Sequence, residues 1–518
     1  MKNTNRFIFL VLSLFVFSCT TIKQSTGVKD DGKLQVVFVQ INDVYEISPV
    51  SGGKEGGMAR VATLKKKYQA SNPNTYLVMA GDFVSPSVYN SLVYQKKKIR
   101  GAQMVDAMNA AGVDLAIFGN HEFDLTEKEL QDRINESNFN WVCSNTFHKN
   151  GQVIEPFRRT NVDRSISFPQ TYIMQVGDKD GTTAKIGFIG LTISSNPADY
   201  VSYKETLSTA TTLYNQLKDS VDAVVAITHQ SVQDDIELAK QLPNLAAILG
   251  GHEHGMIFEK VGNVYITKAH ANARSAYVVK LNIDKTNKTN SVVPELVKID
   301  ETIAIDSATN VVVQKWNKIA IDNYSSLGFD ATKVVLDKGE VLDGRETESR
   351  TSSTALTKMI SSAISFACPN ADVNIFNSGS IRLDDVLTPP ITQYDILRTL
   401  PFGGGIVEVE MKGSLLVQII QAGIKNRGSG GFLQYKPEVK EVGSSYFLDN
   451  RPINLDNYYR VAITTFLFSG KENRLGFLTE KNPDIRKVYP SENTKNNPTS
   501  DIRLAVIRYL EFINKPNK

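Results

Sequence analysis

Cysteine is scarce in this chain. Only Cys19, Cys143 and Cys368 occur among 518 residues, and they are too far apart to form a disulfide framework or a metal-binding cysteine pair. A small fold held together by disulfides is therefore excluded. Cys143 and Cys368 are expected to be buried core residues, as free cysteines usually are.

Long blocks of one charge are also missing. The 58 Lys and Arg residues and 55 Asp and Glu residues leave a net charge of +3, and no basic block is interleaved with aromatics. This argues against nucleic acid as a partner. There is no low-complexity segment and no internal repeat of the solenoid kind. A hydrophobic fraction of 41% is that of a globular protein, and 518 residues are too many for one core, so we expect two domains.

The N-terminal apolar run is short. It extends only from Phe7 to Phe17, behind Lys2 and Arg6, which is typical of a secretory signal and too short to span a bilayer. The ending "VFSC" resembles a bacterial lipobox, which predicts a lipoprotein signal over residues 1–19, cleavage before Cys19 and a lipid on that cysteine. Residues 20–33 would tether the body in the cell envelope, as a periplasmic or outer-membrane lipoprotein. Simple signal cleavage and an uncleaved anchor are the alternatives.

Apolar runs alternate with amphipathic segments from Leu34 to about residue 300. The alternation predicts a layered α/β domain over residues 34–300. Residues 301–330 have a helical pattern with few turn signals and are predicted to be a linker helix. Residues 331–518 then form a second α/β domain, with strands in "ADVNIFN", "GGIVEVEMKG" and "YYRVAITTFLF".

Polar side chains follow the predicted strands of the first domain where each strand ends. Ligands of α/β sheets lie beyond the carboxyl ends of the strands, so these side chains are expected to converge. Burying so many polar groups together without a metal would cost about 1 to 3 kcal/mol for each group left unpaired. A mixed set of oxygen and nitrogen donors suits Mn, Zn or Fe. A metal site is therefore predicted. The residues are Asp43, Asp82, Asn120, His121, His229, His252 and His254.

The motifs "GDF", "FGNHEFD", "ITHQ" and "GGHEH", in that order, resemble those of the calcineurin-like metallophosphoesterases. The second half resembles the C-terminal domain of the bacterial 5'-nucleotidase / UDP-sugar hydrolase family. The resemblance implies an N-terminal β-sandwich flanked by helices in four αββα layers, a linker helix and an α/β substrate-binding domain. It also implies a nucleotide substrate, which the two domains would close over.

The implied activity is that of a metal-dependent 5'-nucleotidase, which releases phosphate from nucleoside 5'-monophosphates through a metal-activated water. A UDP-sugar hydrolase or a 2',3'-cyclic nucleotide phosphodiesterase is the alternative on the same fold. A nucleotide-binding lipoprotein without turnover is the alternative of another class.

The resemblance further implies two divalent metal ions, such as Mn, Zn or Fe, bridged by Asp82. Asp43 and His254 would hold the first ion. The second would be held by Asn120, His229 and His252. His121 and Asp124 would be the catalytic pair, with Asp124 orienting the imidazole so that it stabilises the transition state or protonates the leaving oxygen.

The substrate residues implied by the resemblance lie in the second domain. An Asn and an Arg in "NSGSIR" and an upstream Arg would contact the nucleotide, and two Phe residues would sandwich its base. A Glu in "GKEN" stands where the family has an Asp that contacts the ribose. These residues are Arg350, Asn377, Arg382, Phe432, Phe466 and Glu472.

The segment "INDVYEI" departs from the family pattern. Tyr45 stands where the family has a histidine that ligates the first metal. Tyr45 could bind as a phenolate, which requires a strongly Lewis-acidic ion such as ferric iron to lower its pKa of about 10. It could instead fill space while Glu46 or water completes the shell, or the first metal could be weak or absent. Asp43, Asp82 and His254 remain, and three protein ligands are enough for a catalytic metal.

Overall fold

The structure is a computed structural model that describes residues 30–515 apart from 162–163, 196–197, 444, 490–493 and 495–496. The predicted signal and Cys19 lie outside the described residues. Within the described part of the chain, no helix is both long and apolar enough to cross a bilayer. Cys143 and Cys368 are buried free thiols, as expected.

The first domain is built on two six-stranded sheets. The first six strands are β1 (Lys33–Ile41), β2 (Thr75–Met79), β3 (Leu115–Ala116), β4 (Asn140–Trp141), β5 (Thr171–Gly177) and β6 (Thr183–Thr192). The next six are β7 (Ala223–His229), β8 (Ala247–Gly251), β9 (Ile257–Val261), β10 (Val264–Lys268), β11 (Ser275–Asp284) and β12 (Thr289–Lys298). The helices are α1 (Met58–Ser71), α2 (Ala102–Ala111), α3 (Glu127–Glu136), α4 (Thr206–Leu217) and α5 (Val232–Gln241).

Both sheets have parallel centres and antiparallel edges. The first runs in the order β12-β11-β1-β2-β3-β4, and the second in the order β5-β6-β7-β8-β10-β9. Strands β1 to β4 are parallel, as are β6, β7, β8 and β10. In this register His229 lies opposite Thr192 and Gly251. Because the central strands are parallel, their carboxyl ends and the loops that follow them lie at one edge of the sandwich.

The two sheets pack face to face over an apolar core. Phe38 of β1 meets Phe188 of β6 edge to face, with ring centroids 5.7 Å apart, and Val225 and Leu249 belong to the same buried cluster. The outer face of the first sheet packs against α1, α2 and α3, and that of the second against α4 and α5. The predicted four-layer αββα sandwich is confirmed.

Helix α6 (Ser307–Ser326) follows the first domain and packs along α1 and α2. Asp306 caps it by accepting from the Thr309 amide at 2.9 Å. Trp316 Nε1 donates to Asp106 at 2.9 Å, and the Tyr324 hydroxyl donates to the Val88 carbonyl at 3.1 Å. These bonds attach α6 to the first domain, so rotation between the domains would fall after Ser326.

The second domain has a five-stranded sheet with helices on both faces. Its strands are β13 (Val373–Asn377), β14 (Ile406–Lys412), β15 (Leu433–Lys436), β16 (Tyr458–Thr464) and β17 (Ile485–Tyr489), in the order β15-β13-β16-β14-β17. Its helices are α7 (Glu346–Ser349), α8 (Ala355–Ala367), α9 (Gln393–Thr399), α10 (Gly413–Lys425), α11 (Thr465–Phe468) and α12 (Ile502–Ile513). Helix α10 covers one face of the sheet, and α8 and α12 cover the other.

Short strands form ribbons outside these sheets. In the first domain they are Val93–Tyr94 with Lys97–Lys98, Thr146–Asn150 with Val153–Glu155 and Val201–Tyr203, and Arg158–Asn161 with Arg164–Ser167. In the second they are Val334–Leu336 with Ile391–Thr392, Leu342–Asp343 with Val386–Leu387, and Val439–Val442 with Ser445–Leu448 and Arg451–Pro452.

A buried lysine supports the loop after β8. Lys268 ends β10 with its side chain fully buried, and its ammonium lies 2.8 Å from the fully buried carboxylate of Asp235 on α5. It also pairs with Glu253 and donates to the Gln230 carbonyl at 2.6 Å. Glu253 accepts from the Val232 amide at 2.7 Å. Because Glu253 lies between His252 and His254, this network fixes the loop that carries both histidines.

We expect Lys268→Met to lower the free energy of unfolding by about 3 to 5 kcal/mol, because it leaves the buried Asp235 carboxylate without its cation. Chemical denaturation followed by circular dichroism measures the loss. The double variant Lys268→Met/Asp235→Asn should regain part of it. Lys240→Met, in the exposed Lys240–Glu237 pair, should lower the free energy of unfolding by less than about 1 kcal/mol. Equal losses in Lys268→Met and Lys240→Met would contradict the role given to Lys268.

Candidate metal centre and active site

The loops that follow the parallel strands bring the predicted metal ligands together. Ligand atoms of Asp43, after β1, Asp82, after β2, and His229, ending β7, all lie within 4.8 Å of one another. Asp43, Asp82 and His252 have positive φ angles of 52°, 56° and 86°. Residues with side chains seldom adopt this backbone, and it persists where the surrounding structure holds it. Here it occurs at three of the six ligands implied by the resemblance.

One oxygen of Asp43 is held by the protein and the other faces the centre. Its Oδ2 accepts from Asn42 Nδ2 at 2.8 Å and from the His252 amide at 3.0 Å. Its Oδ1 lies 3.7 Å from His254 Nε2 and 3.9 Å from His229 Nε2. Hydrogen bonds on one oxygen therefore orient the other as a ligand.

Asp82 lies between the two halves of the centre. Its Oδ1 accepts from the His121 amide at 2.8 Å. Its Oδ2 is 3.1 Å from His229 Nε2 and 3.5 Å from the Tyr45 hydroxyl. Burial alone would raise the pKa of Asp82, but the charges of His229 and His121 more than offset it and hold the pKa below its ordinary value. Asp82 is thus held as an ionised carboxylate, the form that its predicted bridging role requires.

The two histidines implied for the second metal are oriented toward the carboxylates. His229 Nδ1 donates to the Ala80 carbonyl at 2.8 Å, so Nε2 is the nitrogen that faces them. Burial lowers the pKa of His229, but Asp82 and Asp43 outweigh it and raise the pKa to about 9, so without a metal Nε2 carries a proton that a cation would replace. His252 lies beside it, with ring centroids 5.3 Å apart. Burial and the charge of His229 lower the pKa of His252 to about 4, so it is neutral at physiological pH. Neutral imidazole is the form that ligates metals.

The remaining donors also fit a cation. Asn120 Oδ1 is buried and accepts no hydrogen bond within the described part of the chain. An orphaned buried amide oxygen costs about 1 to 3 kcal/mol, which a metal bond would remove. The site thus offers buried carboxylates, oriented imidazoles and a free amide oxygen. Such a donor set fits transition-metal ions, and Asp43, Asp82, Asn120, His229, His252 and His254 would hold them.

Gly81 makes room for His229. Its φ is +82°, and a Cβ at this position would lie 2.6 Å from His229 Nδ1. A side chain would therefore both strain the backbone and push the imidazole away from the carboxylates.

Glu122 supports the centre, although the sequence did not predict a role for it. Its fully buried carboxylate accepts from the backbone amides of Asp82, Phe83, Val84 and Gly119 at 2.5 to 3.2 Å. Burial and the Asp82 charge raise its pKa to about 7. Glu122 thereby joins the two loops that present Asp82 and Asn120. The sequence signal for this role is its position inside the motif "GNHEFD".

His121 and Asp124, which the sequence pairs as a catalytic dyad, are in contact. His121 Nδ1 lies 2.9 Å from Asp124 Oδ2, and that oxygen also accepts from Ser85 Oγ at 2.8 Å. Burial lowers the pKa of His121, but Asp82 and Asp124 outweigh it and raise the pKa above its ordinary value. The imidazole is thus fixed in orientation and favoured in its protonated form.

His254 is held from the second domain, which the sequence did not predict. Its Nδ1 lies 2.7 Å from Asp384 Oδ2 and 3.2 Å from Glu346 Oε2. Asp384 in turn accepts from the Glu346 amide at 2.8 Å. A carboxylate on Nδ1 fixes the tautomer and leaves Nε2 for the metal. One predicted ligand of the first metal is therefore oriented by a residue 130 positions away, across the domain boundary.

Arg382 reaches the centre from the second domain. Its guanidinium stacks on Phe402, 5.5 Å from the ring centroid, and its buried Nε has no hydrogen-bond partner within the described residues. Its charge contributes to lowering the pKa of Asp124. An unpaired, partly desolvated guanidinium beside a metal centre is suited to bind an anion.

The other predicted substrate residues differ in their surroundings. Asn377, at the end of β13, donates to Glu472 at 2.8 Å, so these two predicted contacts lie together. Arg350 is ion-paired with Glu346, and burial followed by the charge of Arg382 lowers its pKa to about 10.

The two predicted base-binding rings differ in exposure. Phe432 is nearly buried, with the Arg427 guanidinium 5.0 Å from its ring centroid, whereas Phe466 on α11 is 46% exposed. The sandwich of a base between these two rings stays a prediction.

Comparisons with known proteins match both halves of the chain. A family model described as calcineurin-like phosphoesterase matches residues 36–256, and one described as 5'-nucleotidase, C-terminal domain, matches residues 331–480. The trifunctional nucleotide phosphoesterase protein YfkN of Bacillus subtilis is 26% identical over 473 residues, which is 80% of this chain but 31% of that protein. The chain thus spans about a third of that relative's length. The 5'-nucleotidase of Bos taurus is 24% identical over 83% of this chain and 80% of its own length.

Two solved structures share the fold over most of both chains. The 5'-nucleotidase precursor from Thermus thermophilus matches with a TM-score of 0.72 and 21% identity, covering 93% of this chain and 97% of that one. The sulfate thiohydrolase SoxB of Thermus thermophilus matches with a TM-score of 0.65 and 14% identity, covering 93% and 95%. At these identities the likeness concerns the fold alone.

We expect Asp384→Asn to weaken binding of the first metal by about 10- to 100-fold, because the amide no longer provides a charged partner for His254 Nδ1. Calorimetric titration of metal-free protein measures this. Asp337→Asn, at an exposed carboxylate of the same domain, is the matched control. It should leave the affinities for the first and the second metal unchanged. An unaltered first-metal affinity in Asp384→Asn would show that the cross-domain bond does not support the ligand.

Proposed function

We propose that this chain, which belongs to the 5'-nucleotidase family of calcineurin-like phosphoesterases, releases phosphate from nucleoside 5'-monophosphates. As a member it is a metal-dependent hydrolase of phosphoric monoesters that uses two divalent ions. The observation that carries the proposal is the dyad of His121 and Asp124, which touches the Asp82 carboxylate through the His121 amide. A protein that only bound nucleotides would not need an imidazole fixed in this way.

The chemistry follows from the positions of the side chains. When bound, two divalent cations neutralise charge on the phosphate oxygens and lower the pKa of a water molecule. Asp124 holds Nδ1 of His121, so Nε2 can donate its proton to the departing 5'-oxygen. Arg382 adds a fixed positive charge that can stabilise the negative charge of the transferred phosphoryl group.

The second domain supports a nucleoside as the leaving group. Glu472, held by Asn377, can accept hydrogen bonds from ribose hydroxyls. The exposed ring of Phe466 can stack on a base, which is worth about 1 to 3 kcal/mol. The printed names of the relatives, 5'-nucleotidase and nucleotide phosphoesterase, support the same substrate class.

The test offers AMP, UDP-glucose and a 2',3'-cyclic nucleotide to metal-free full-length protein, titrated with Mn, Zn and Fe. We expect phosphate release from AMP to exceed cleavage of the other two. Preferred cleavage of UDP-glucose or of the cyclic nucleotide would replace the proposed substrate by one of the two alternatives on the same fold. Tight binding of AMP with no cleavage under any metal would overturn the proposal in favour of a nucleotide-binding protein.

His121→Ala should lower kcat by about 10²- to 10⁴-fold and leave KM for AMP within a few fold, because a general acid acts in the transition state. Steady-state kinetics on the metal-loaded protein measure both constants. His148→Ala removes another partly buried histidine with a carboxylate partner, Glu127, and should change neither. Equal losses in affinity and turnover would contradict the role given to His121.

We also propose that a lipid on Cys19 anchors the protein in a bacterial envelope membrane, with the substrate site on the tethered body. The support is the sequence pattern of residues 1–19. Cys19→Ala should move the protein from the membrane fraction to the soluble fraction in immunoblots of cell extracts, and Thr20→Ala should not. Wild-type protein found only in the soluble fraction would exclude the anchor.

A further inference from the structure

The hydroxyl of Tyr45 lies among the ligands of the first metal. It is 3.0 Å from His254 Nε2, 3.4 Å from Asp43 Oδ1 and 3.5 Å from Asp82 Oδ2. His254 Nε2 and Asp43 Oδ1 are themselves 3.7 Å apart. The phenol oxygen is therefore as close to each predicted ligand as two of those ligands are to one another.

The ring is fixed in this position. Tyr45 is 5% exposed, and its amide donates to Asn272 Oδ1 at 3.1 Å. The Tyr45 and His254 rings meet at an interplanar angle of 62°, with centroids 5.5 Å apart. The Asn272 amide donates to the Asp43 carbonyl at 2.9 Å, so one loop holds both Asp43 and Tyr45.

These distances are those of a coordination shell. Metal bonds to nitrogen and oxygen ligands are about 2.0 to 2.2 Å long, which separates neighbouring ligand atoms by about 2.8 to 3.1 Å in an octahedron and about 3.3 to 3.6 Å in a tetrahedron. The 3.0 Å contact with His254 Nε2 is also that of a hydrogen bond, but a phenol that donated to a carboxylate would lie closer to it, at about 2.5 to 2.7 Å, than the 3.4 and 3.5 Å to Asp43 and Asp82. The separations of the Tyr45 oxygen, 3.0 to 3.5 Å, fit the shell.

Glu46 is engaged elsewhere. Its buried carboxylate accepts from the Tyr394 hydroxyl of the second domain at 3.3 Å, and the charge of Arg398 acts on it. The acidic residue beside Tyr45 thus faces the domain boundary. It is not the group that replaces the missing histidine.

We infer that the phenol oxygen of Tyr45 is the fourth protein ligand of the first metal, beside Asp43, Asp82 and His254. This rests on the proposed dinuclear centre. On binding, the oxygen–metal bond replaces the O–H bond, and one proton leaves to solvent. Three anionic oxygen donors and one imidazole form a harder and more negative shell than a site with histidine at this position. The first site therefore also accepts a more strongly Lewis-acidic ion, ferric iron, in place of a divalent one, and does so more readily than the second site.

The test uses full-length protein that is stripped of metal and reloaded with ferric iron, its content fixed by metal analysis. We expect a visible phenolate-to-iron absorption band in the wild type that is lost in Tyr45→Phe. We also expect Tyr45→Phe to lower the affinity for the first ion by at least about tenfold in calorimetric titration, as loss of a group that supports a metal site does. Tyr203→Phe is the control, because it removes another partly buried phenol whose pKa is raised by burial and by the charge of Asp82. This variant should keep both the absorption band and the affinity for the first ion.

Three results would overturn the inference. They are iron-loaded wild type without the band, a band that persists in Tyr45→Phe, and wild type that takes up no iron. Phosphate release from AMP, measured on the same samples, separates this inference from the proposed function. Turnover without the absorption band would contradict only the role of Tyr45. The band without turnover would contradict only the proposed activity.

Discussion

Two carboxylates, those of Asp43 and Asp82, are buried side by side where β1 and β2 end. The other groups of the centre compensate the repulsion between these two anions. Burying two anions together costs several kcal/mol unless positive charge and hydrogen bonds compensate. The protein provides part of that compensation through Asn42, the His252 amide and His229. Divalent cations would provide the rest. The left-handed backbone at both aspartates is a further cost that the surrounding contacts offset.

The same constraint links the two domains. His254 has one ring nitrogen facing Asp43 and Tyr45 and the other bound to Asp384. The second domain therefore supports a predicted metal ligand in addition to carrying the predicted substrate residues. Helix α6 packs on the first domain. A change in domain orientation would therefore directly alter the contact between His254 and Asp384.

The fold does not by itself determine the substrate. A 5'-nucleotidase precursor and a sulfate thiohydrolase both match over nearly the whole chain. The predicted substrate residues of the second domain would distinguish the possibilities. Of these, Arg382 acts with its charge on His121 and Asp124, which supports a phosphate at the centre, and turnover assays decide the substrate.

Much of this architecture was predictable from the sequence, because it depends on local patterns. Parallel strands end in polar residues, and the periodicity of the apolar runs indicates strand and helix, so a layered α/β domain and the convergence of Asp43, Asp82 and His229 follow from the order of the motifs. The four-layer sandwich was implied by the family resemblance. Only the tertiary structure showed that Glu122 joins two loops, that Asp384 holds His254, and that the Tyr45 oxygen lies at shell distance from three ligands. These contacts join residues 2 to 209 positions apart, and a sequence pattern carries no information on the distances and angles that folding sets between them.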